Sequence, residues 1–148
     1  MMHTNALKKT AFGMVLLLLA GLNACQPEPD ENPQPGFLTG GSVKTWTITD
    51  AMQNGLSHPR KSCIVGDVYV FNADKSVRID EGAVKCAATD PQATNGRWAI
   101  NGSTITIAET GGKTLVVLKI QSLNSSKMVA VLDNNDPGVT VQYTFTAQ

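Results

Sequence analysis

The sequence carries few charges and has no excess of either sign. Its 148 residues include 12 basic and 12 acidic side chains, so the formal net charge is zero. After residue 10 the lysines and arginines occur singly, apart from the pair Arg60-Lys61. Proteins that bind nucleic acid present a basic patch, so this distribution predicts that no nucleic acid is bound.

Residues that carry out catalysis are equally scarce. Of the two histidines, only His58 lies beyond the N-terminal region, and a lone histidine does not make a hydrolytic triad. The acids Asp80, Glu81 and Glu109 stand at predicted strand ends, where carboxylates normally solvate turns. The oxygen-rich stretch 133–136 lacks the spacing of an EF-hand loop and is typical of a turn. We therefore expect no catalytic residues, no metal, no cofactor and no enzymatic activity.

One long apolar run is present, near the N-terminus. The run AFGMVLLLLAGL, residues 11–22, follows the pair Lys8-Lys9 and precedes Cys25. It is shorter than the roughly 20 residues of a membrane-spanning helix and has the length of a secretory h-region. Because Leu22 and Ala24 stand three residues and one residue before Cys25, the segment resembles a bacterial lipoprotein signal peptide.

This resemblance implies that residues 1–24 are removed and that Cys25 is lipidated through its thiol and its new N-terminus. Two or more acyl chains anchor a protein stably in a membrane. Residues 25–37 then form the lipidated cysteine and a tether whose prolines and acids cannot bury enough surface to fold. Gln26, in place of aspartate, favours the outer membrane, on its periplasmic face or at the cell surface. In the alternative, ordinary secretion, Cys25 remains a free or paired thiol.

Residues 38–148 form the predicted domain, which is all-β. Alternation of apolar and polar residues recurs with period two, and no convincing helix is found. In the first strand, from Val43, this alternation puts Trp46 and Ile48 on one face. The turns are predicted at 72–75, Asn101-Gly102, Gly111-Gly112, 124–126 and 133–138, and the last strand begins at Val139. About eight sequential strands predict an antiparallel up-and-down meander that closes into a barrel, with an immunoglobulin-like sandwich as the alternative.

Two cysteines remain in this domain, Cys63 and Cys86. Cysteine pairs in exported domains normally form disulfides, and this bridge would close the loop around one predicted hairpin. The chain-entropy model gives roughly 3 kcal/mol for such a loop. A metal site is the alternative, but two cysteines and His58 provide too few ligands for structural zinc.

Several short motifs occur in a characteristic order. They are GSVKTW at 41–46, Ser62-Cys63, DVYVF at 67–71 with NADK after it, Cys86, GRW at 96–98, and Asn101-Gly102 before an Ile-x-Ile strand. In this order they resemble the lipocalin-like domains of small Bacteroidetes lipoproteins over most of residues 38–148. The resemblance implies a small antiparallel β-barrel and brings no assigned activity.

The interior of such a barrel is the remaining candidate site. An eight-stranded barrel is just wide enough to be filled by side chains or to hold one small ligand. The side chains expected to face inward and to contact a ligand are Trp46, Trp98, Tyr143 and Phe145, with Val70, Ile105 and Val141 as neighbours. Two hypotheses stay open. One is a membrane-anchored protein that binds a small apolar ligand, and the other is a packed structural or accessory lipoprotein that contacts another envelope protein.

Overall fold

The structure is a computed structural model that describes residues 35–134 and 136–148. The predicted signal peptide, the predicted lipidation site Cys25 and most of the predicted tether lie outside the described residues. Within the described ranges, no helix has both the length and the hydropathy needed to cross a membrane.

The described residues form nine strands and two short helices. In chain order these are α1 (Pro35–Thr39), β1 (Val43–Gln53), β2 (Leu56–Ser57), α2 (Lys61–Ile64), β3 (Val68–Asn72), β4 (Ser76–Asp80), β5 (Ala93–Asn101), β6 (Thr104–Ala108), β7 (Thr114–Leu123), β8 (Lys127–Leu132) and β9 (Val141–Ala147).

The strands form a closed barrel. β1 pairs with β3, and each strand from β3 to β9 pairs antiparallel with the next. β9 then pairs antiparallel with β1, so eight strands form a closed ring, and β2 pairs only with the last two residues of β1. The predicted up-and-down barrel is confirmed, and the sandwich alternative is wrong.

Alternation along each strand fills the interior. Trp46 and Ile48 are buried on β1, and Ile105 and Ile107 are fully buried on β6. A register shift against β9 between Ile48 and Asp50 marks a β-bulge, after which Ala51 takes the next buried position. The bulge therefore changes which side of β1 faces inward towards its C-terminal end.

The two ends of the barrel differ. At the α1 end the strands are joined by short turns, and α1 inserts the fully buried side chain of Leu38. The indole nitrogen of Trp98 donates to the carbonyl oxygen of Asn72, 2.9 Å away, where β3 ends at the same end of the barrel. The α2 end carries the longer connections, 54–67, 81–92, 109–113 and 133–140. The α1 end is closed, and the α2 end holds the loops that surround any entrance.

The two helices were not predicted, because each is a single turn, too short for a helical period to show in the sequence. α1 begins at Pro35, so the predicted boundary between tether and domain, after residue 37, falls inside this helix. Proline at the first helical position fits the start of a helix, since its missing N–H has no partner to lose there.

Three details of the predicted strands are wrong. Val70 faces outward, because Tyr69 and Phe71, its neighbours on β3, take the buried positions. Asn101 belongs to β5, and the positive φ of the following turn, 55°, is at Gly102. The last strand begins at Val141, two residues later than the alternation suggested.

Candidate functional site

The four aromatic residues singled out from the sequence all contribute to the interior. Trp46, Trp98 and Phe145 are at most 3% exposed, whereas Tyr143 is half-buried. The Tyr143 ring packs edge-on against Phe145, with 6.2 Å between ring centroids. Three of the four therefore lie in the packed core, and only Tyr143 reaches the α2 end.

Tyr69 and Phe71 are two further inward aromatic residues that the sequence analysis missed. Phe71 packs edge-on against Trp98 with 5.9 Å between centroids, and Tyr69 packs edge-on against Phe145 with 5.4 Å. In the segment 67–71 both faces of the strand are apolar, so period two alone does not select one. The larger buried area of aromatic rings would have favoured Tyr69 and Phe71 as the inner face.

We call the α2 end of the barrel interior, where inward-facing side chains reach solvent, the mouth. Its apolar wall consists of inward-facing residues that are only half-buried. Each lies two residues along its strand from a fully or almost fully buried residue, on the side of the α2 end. These wall residues are Ile79, Val116, Leu132 and Tyr143, next to Val77, Leu118, Ala130 and Phe145 respectively. The core is therefore sealed at the α1 end and partly exposed to solvent at the mouth.

Polar groups occupy one side of the mouth. Asp67 directly precedes β3 and continues the inner face of Tyr69 and Phe71. Its Oδ1 atom accepts a hydrogen bond of 2.8 Å from the backbone N–H of Gly82. A Cβ atom at Gly82 would lie 3.0 Å from the carbonyl carbon of Gly66, so the two segments touch, and glycine permits this approach.

The environment of Asp67 makes its charged form costly. Burial raises the pKa of Asp67 to about 6, the N–H of Gly82 partly offsets this shift, and the charge of Glu81 raises the pKa further. Burial is also the main reason that the pKa of Tyr69 is raised, with further contributions from Tyr143, Asp67 and Glu81. These four titratable side chains therefore lie within electrostatic reach of one another.

The mouth is held by a disulfide and an ion pair. Cys63, on α2, is bonded to Cys86 in the connection between β4 and β5, with 5.0 Å between the Cα atoms. The predicted disulfide is thus present in the structure. Lys61 of α2 forms a salt bridge with Asp50 of β1, and this contact lowers the pKa of Asp50. Together they tie the covering helix to β1 and to the neighbouring connection.

Two other places that the sequence raised as candidates, His58 and the stretch 133–136, have local partners. His58 Nδ1 accepts a hydrogen bond from the N–H of Arg60. In the stretch 133–136, Asp133 forms a salt bridge of 3.0 Å with Lys119, and Asn134 accepts from the N–H of Asp136. A shallow groove of about 440 Å³ lies beside this turn. No three metal-binding side chains cluster within residues 35–134 and 136–148.

Comparison with known proteins agrees with this architecture. The sequence matches the model of a family described as lipocalin-like domain over residues 43–130, which is more than half of the chain. The match begins at the first residue of β1 and ends within β8. No curated protein matches the chain. The chain belongs to the lipocalin-like domain family.

Proposed function

We propose that this protein is a lipid-anchored protein of the outer membrane that binds a small apolar ligand at the mouth of its barrel. The observation that carries the proposal is the contrast between the two ends of the interior. Inward-facing apolar side chains are sealed at the α1 end, yet Ile79, Val116, Leu132 and Tyr143 remain partly exposed at the α2 end. Apolar walls with a few convergent polar groups are the usual composition of a ligand pocket.

The packed lower interior limits how deeply a ligand enters. Trp46 and Trp98 use their indole N–H groups in hydrogen bonds to Leu38 and Asn72, and both rings are buried. They form a floor beneath the ligand. The wall residues and the Tyr69 hydroxyl make the contacts, and no catalytic step is involved.

Co-purification tests the binding function. Protein extracted from its own membranes under mild conditions is analysed by native mass spectrometry and titrated with a hydrophobic fluorescent dye. A bound small molecule that the dye displaces supports the proposal. A preparation that carries no small molecule and does not bind the dye argues strongly against it.

The anchor is proposed from Cys25 and the residues around it. Cells grown with labelled palmitate should incorporate label into the parent protein and lose it in Cys25→Ser. Cys63→Ser serves as a matched control, since the sulfur of Cys63 is in a disulfide with Cys86. Label that persists in Cys25→Ser contradicts the anchor. Protease treatment of intact cells then distinguishes the cell surface from the periplasmic face.

A structural or accessory lipoprotein is the second candidate. It is favoured by the complete burial of Trp46, Phe71 and Phe145. These rings fill the barrel below the mouth and are not accessible to a ligand. In this case the outer face contacts another envelope protein. Crosslinking in intact cells at native expression should then trap one specific protein, and a failure to trap any would exclude this candidate.

A further inference from the structure

Two carboxylates, those of Asp67 and Glu81, lie close to each other at the mouth. β3 and β4 pair in a register that sets Val68 opposite Asp80 and Tyr69 opposite Ile79. Asp67 and Glu81 are the next residues beyond the last pair of this ladder, and the alternation of the two strands places them on the side of Tyr69 and Ile79. Like charges directly opposite each other on a sheet are destabilising. The charge of Glu81 raises the pKa of Asp67, which agrees with their close approach.

Neither carboxylate has a cationic partner among the residues that the structure describes. The salt bridges there join Asp50 to Lys61, Asp80 to Arg78 and Asp133 to Lys119. Arg60 acts on Tyr143, whose pKa it lowers against the larger effect of burial. Asp67 and Glu81 thus lack the salt bridge that each of the three other acids forms.

The side chain of Tyr69 points to a ligand independently of the acids. It is 6% exposed, and among the described residues its hydroxyl forms no hydrogen bond. Within the described residues, every side-chain nitrogen or oxygen sealed from solvent has a hydrogen-bond partner. The Tyr69 hydroxyl is therefore not fully sealed from solvent, and it lies within electrostatic reach of Asp67 and Glu81.

We propose that the mouth selects ligands whose polar end is an organic cation, of which a primary ammonium group on an apolar body is the simplest case. The inference deepens the proposed function and rests on it. An ammonium group has three N–H donors and no acceptor, and the mouth offers three acceptors, the two carboxylates and the phenol oxygen. The apolar body lies against the wall residues Ile79, Val116, Leu132 and Tyr143.

The same geometry disfavours other polar ends. A ligand carboxylate would be repelled by Asp67 and Glu81, and an alcohol can donate only one uncharged hydrogen bond. A calcium ion takes six to eight oxygen ligands, and the described residues hold no cluster of three or more metal-binding side chains. A charged donor makes hydrogen bonds roughly twice as strong as a neutral one, so the amine is expected to bind best.

Three ligands of equal chain length test the inference. The protein, processed by its own cell, is reconstituted in nanodiscs of zwitterionic lipid. Binding of radiolabelled octylamine, octanol and octanoate is measured by equilibrium dialysis, and binding to empty nanodiscs is subtracted. We expect octylamine to bind about tenfold more tightly than octanol, and octanoate to bind most weakly.

Variants locate the preference. Asp67→Asn keeps an oxygen for the Gly82 N–H, and Glu81→Gln keeps the length of the side chain. Each should lower octylamine affinity about tenfold and leave octanol affinity within twofold. Asp80→Asn is the matched control, because Asp80 is adjacent in sequence but faces outward against Arg78, and it should change neither affinity. Tyr69→Phe should weaken octylamine binding severalfold while its ring packing is retained.

The possible outcomes separate the inference from the function on which it rests. Equal affinity for the three ligands, or a preference for octanol or octanoate, overturns the cation proposal and leaves the binding function intact. Octylamine binding that Asp67→Asn and Glu81→Gln leave unchanged also overturns it. If none of the three ligands binds above the empty nanodiscs, both the cation proposal and the proposed pocket fail.

Discussion

The indole nitrogen of Trp46 donates a hydrogen bond to the carbonyl oxygen of Leu38, 2.9 Å away. The bond links β1 to α1, the helix that covers one end of the barrel. Leu38 is itself fully buried, so backbone and side chain both hold α1 in place. The end opposite the mouth is thus closed by residues that precede the first strand.

Leu38→Ala should destabilise the barrel by about 2–5 kcal/mol, because it removes a fully buried side chain and leaves a cavity. Phe37→Ala is the matched control on the same helix, and since Phe37 is 42% exposed it should cost about 1 kcal/mol or less. Urea unfolding of both variants provides the measurement. Equal losses for the two variants would show that α1 does not seal the barrel through Leu38.

The disulfide predicts a second stability effect. Its cysteines are 23 residues apart, and opening a loop of this size should lower stability by about 3 kcal/mol in the chain-entropy model. Cys63→Ser and Cys86→Ser should therefore lower the melting temperature, and a reductant should lower that of the parent. The double variant should not respond to the reductant. A parent that melts identically with and without reductant would refute the bridge.

The barrel could be predicted from the sequence because the patterns that indicate it are local. Alternation places Trp46 and Ile48 together, and tight turns allow sequential strands to pair, so β-strand order follows from chain order. The helices α1 and α2 were not predictable, since one turn of helix carries no period. Their positions depend instead on distant partners: Leu38 packs inside the barrel, and Cys63 bonds to Cys86.

The mouth was harder to predict from the sequence, for a different reason. The sequence selects residues that face inward but does not tell how deep each one lies, so Trp46 and Tyr143 looked equivalent. Asp67 and Glu81 come close to each other only because β3 and β4 pair in a register that ends at Val68 and Asp80. In the sequence analysis Glu81 was one of several acids at strand ends, and Asp67 was part of a strand motif.

Asp67 should make stability depend on pH. Its pKa rises from 3.8 to about 6 on folding, so between these values the folded state binds more protons than the unfolded state, and stability falls as pH rises. Asp67→Asn should therefore match the parent near pH 4 and exceed it above pH 6. Because the side chain is only half-buried, solvent screening reduces the expected gain to about 1 kcal/mol.

Urea unfolding at a series of pH values measures this gain. The charged and titratable groups around Asp67 are Glu81, Tyr69, Tyr143 and Arg60, and none of them is altered by the variant. Asp80→Asn serves as the control, since this outward-facing carboxylate is paired with Arg78 and its removal should bring no gain at high pH. A constant difference between Asp67→Asn and the parent from pH 4 to pH 7 would contradict the assignment.

Filling the mouth should abolish ligand binding without unfolding the barrel. Val116 faces inward at the mouth and Val117, the next residue on β7, faces outward, and both are half-buried. Val116→Trp places a large ring where the ligand would lie, so affinity for a hydrophobic dye should fall at least tenfold. Val117→Trp adds the same ring on the outer face and should leave dye binding unchanged.

Thermal melting confirms folding of each variant, and Val116→Phe replaces Val116→Trp if the larger ring is not tolerated. Equal dye affinity in parent, inner and outer variants would mean that the dye binds elsewhere and that the mouth is not the site.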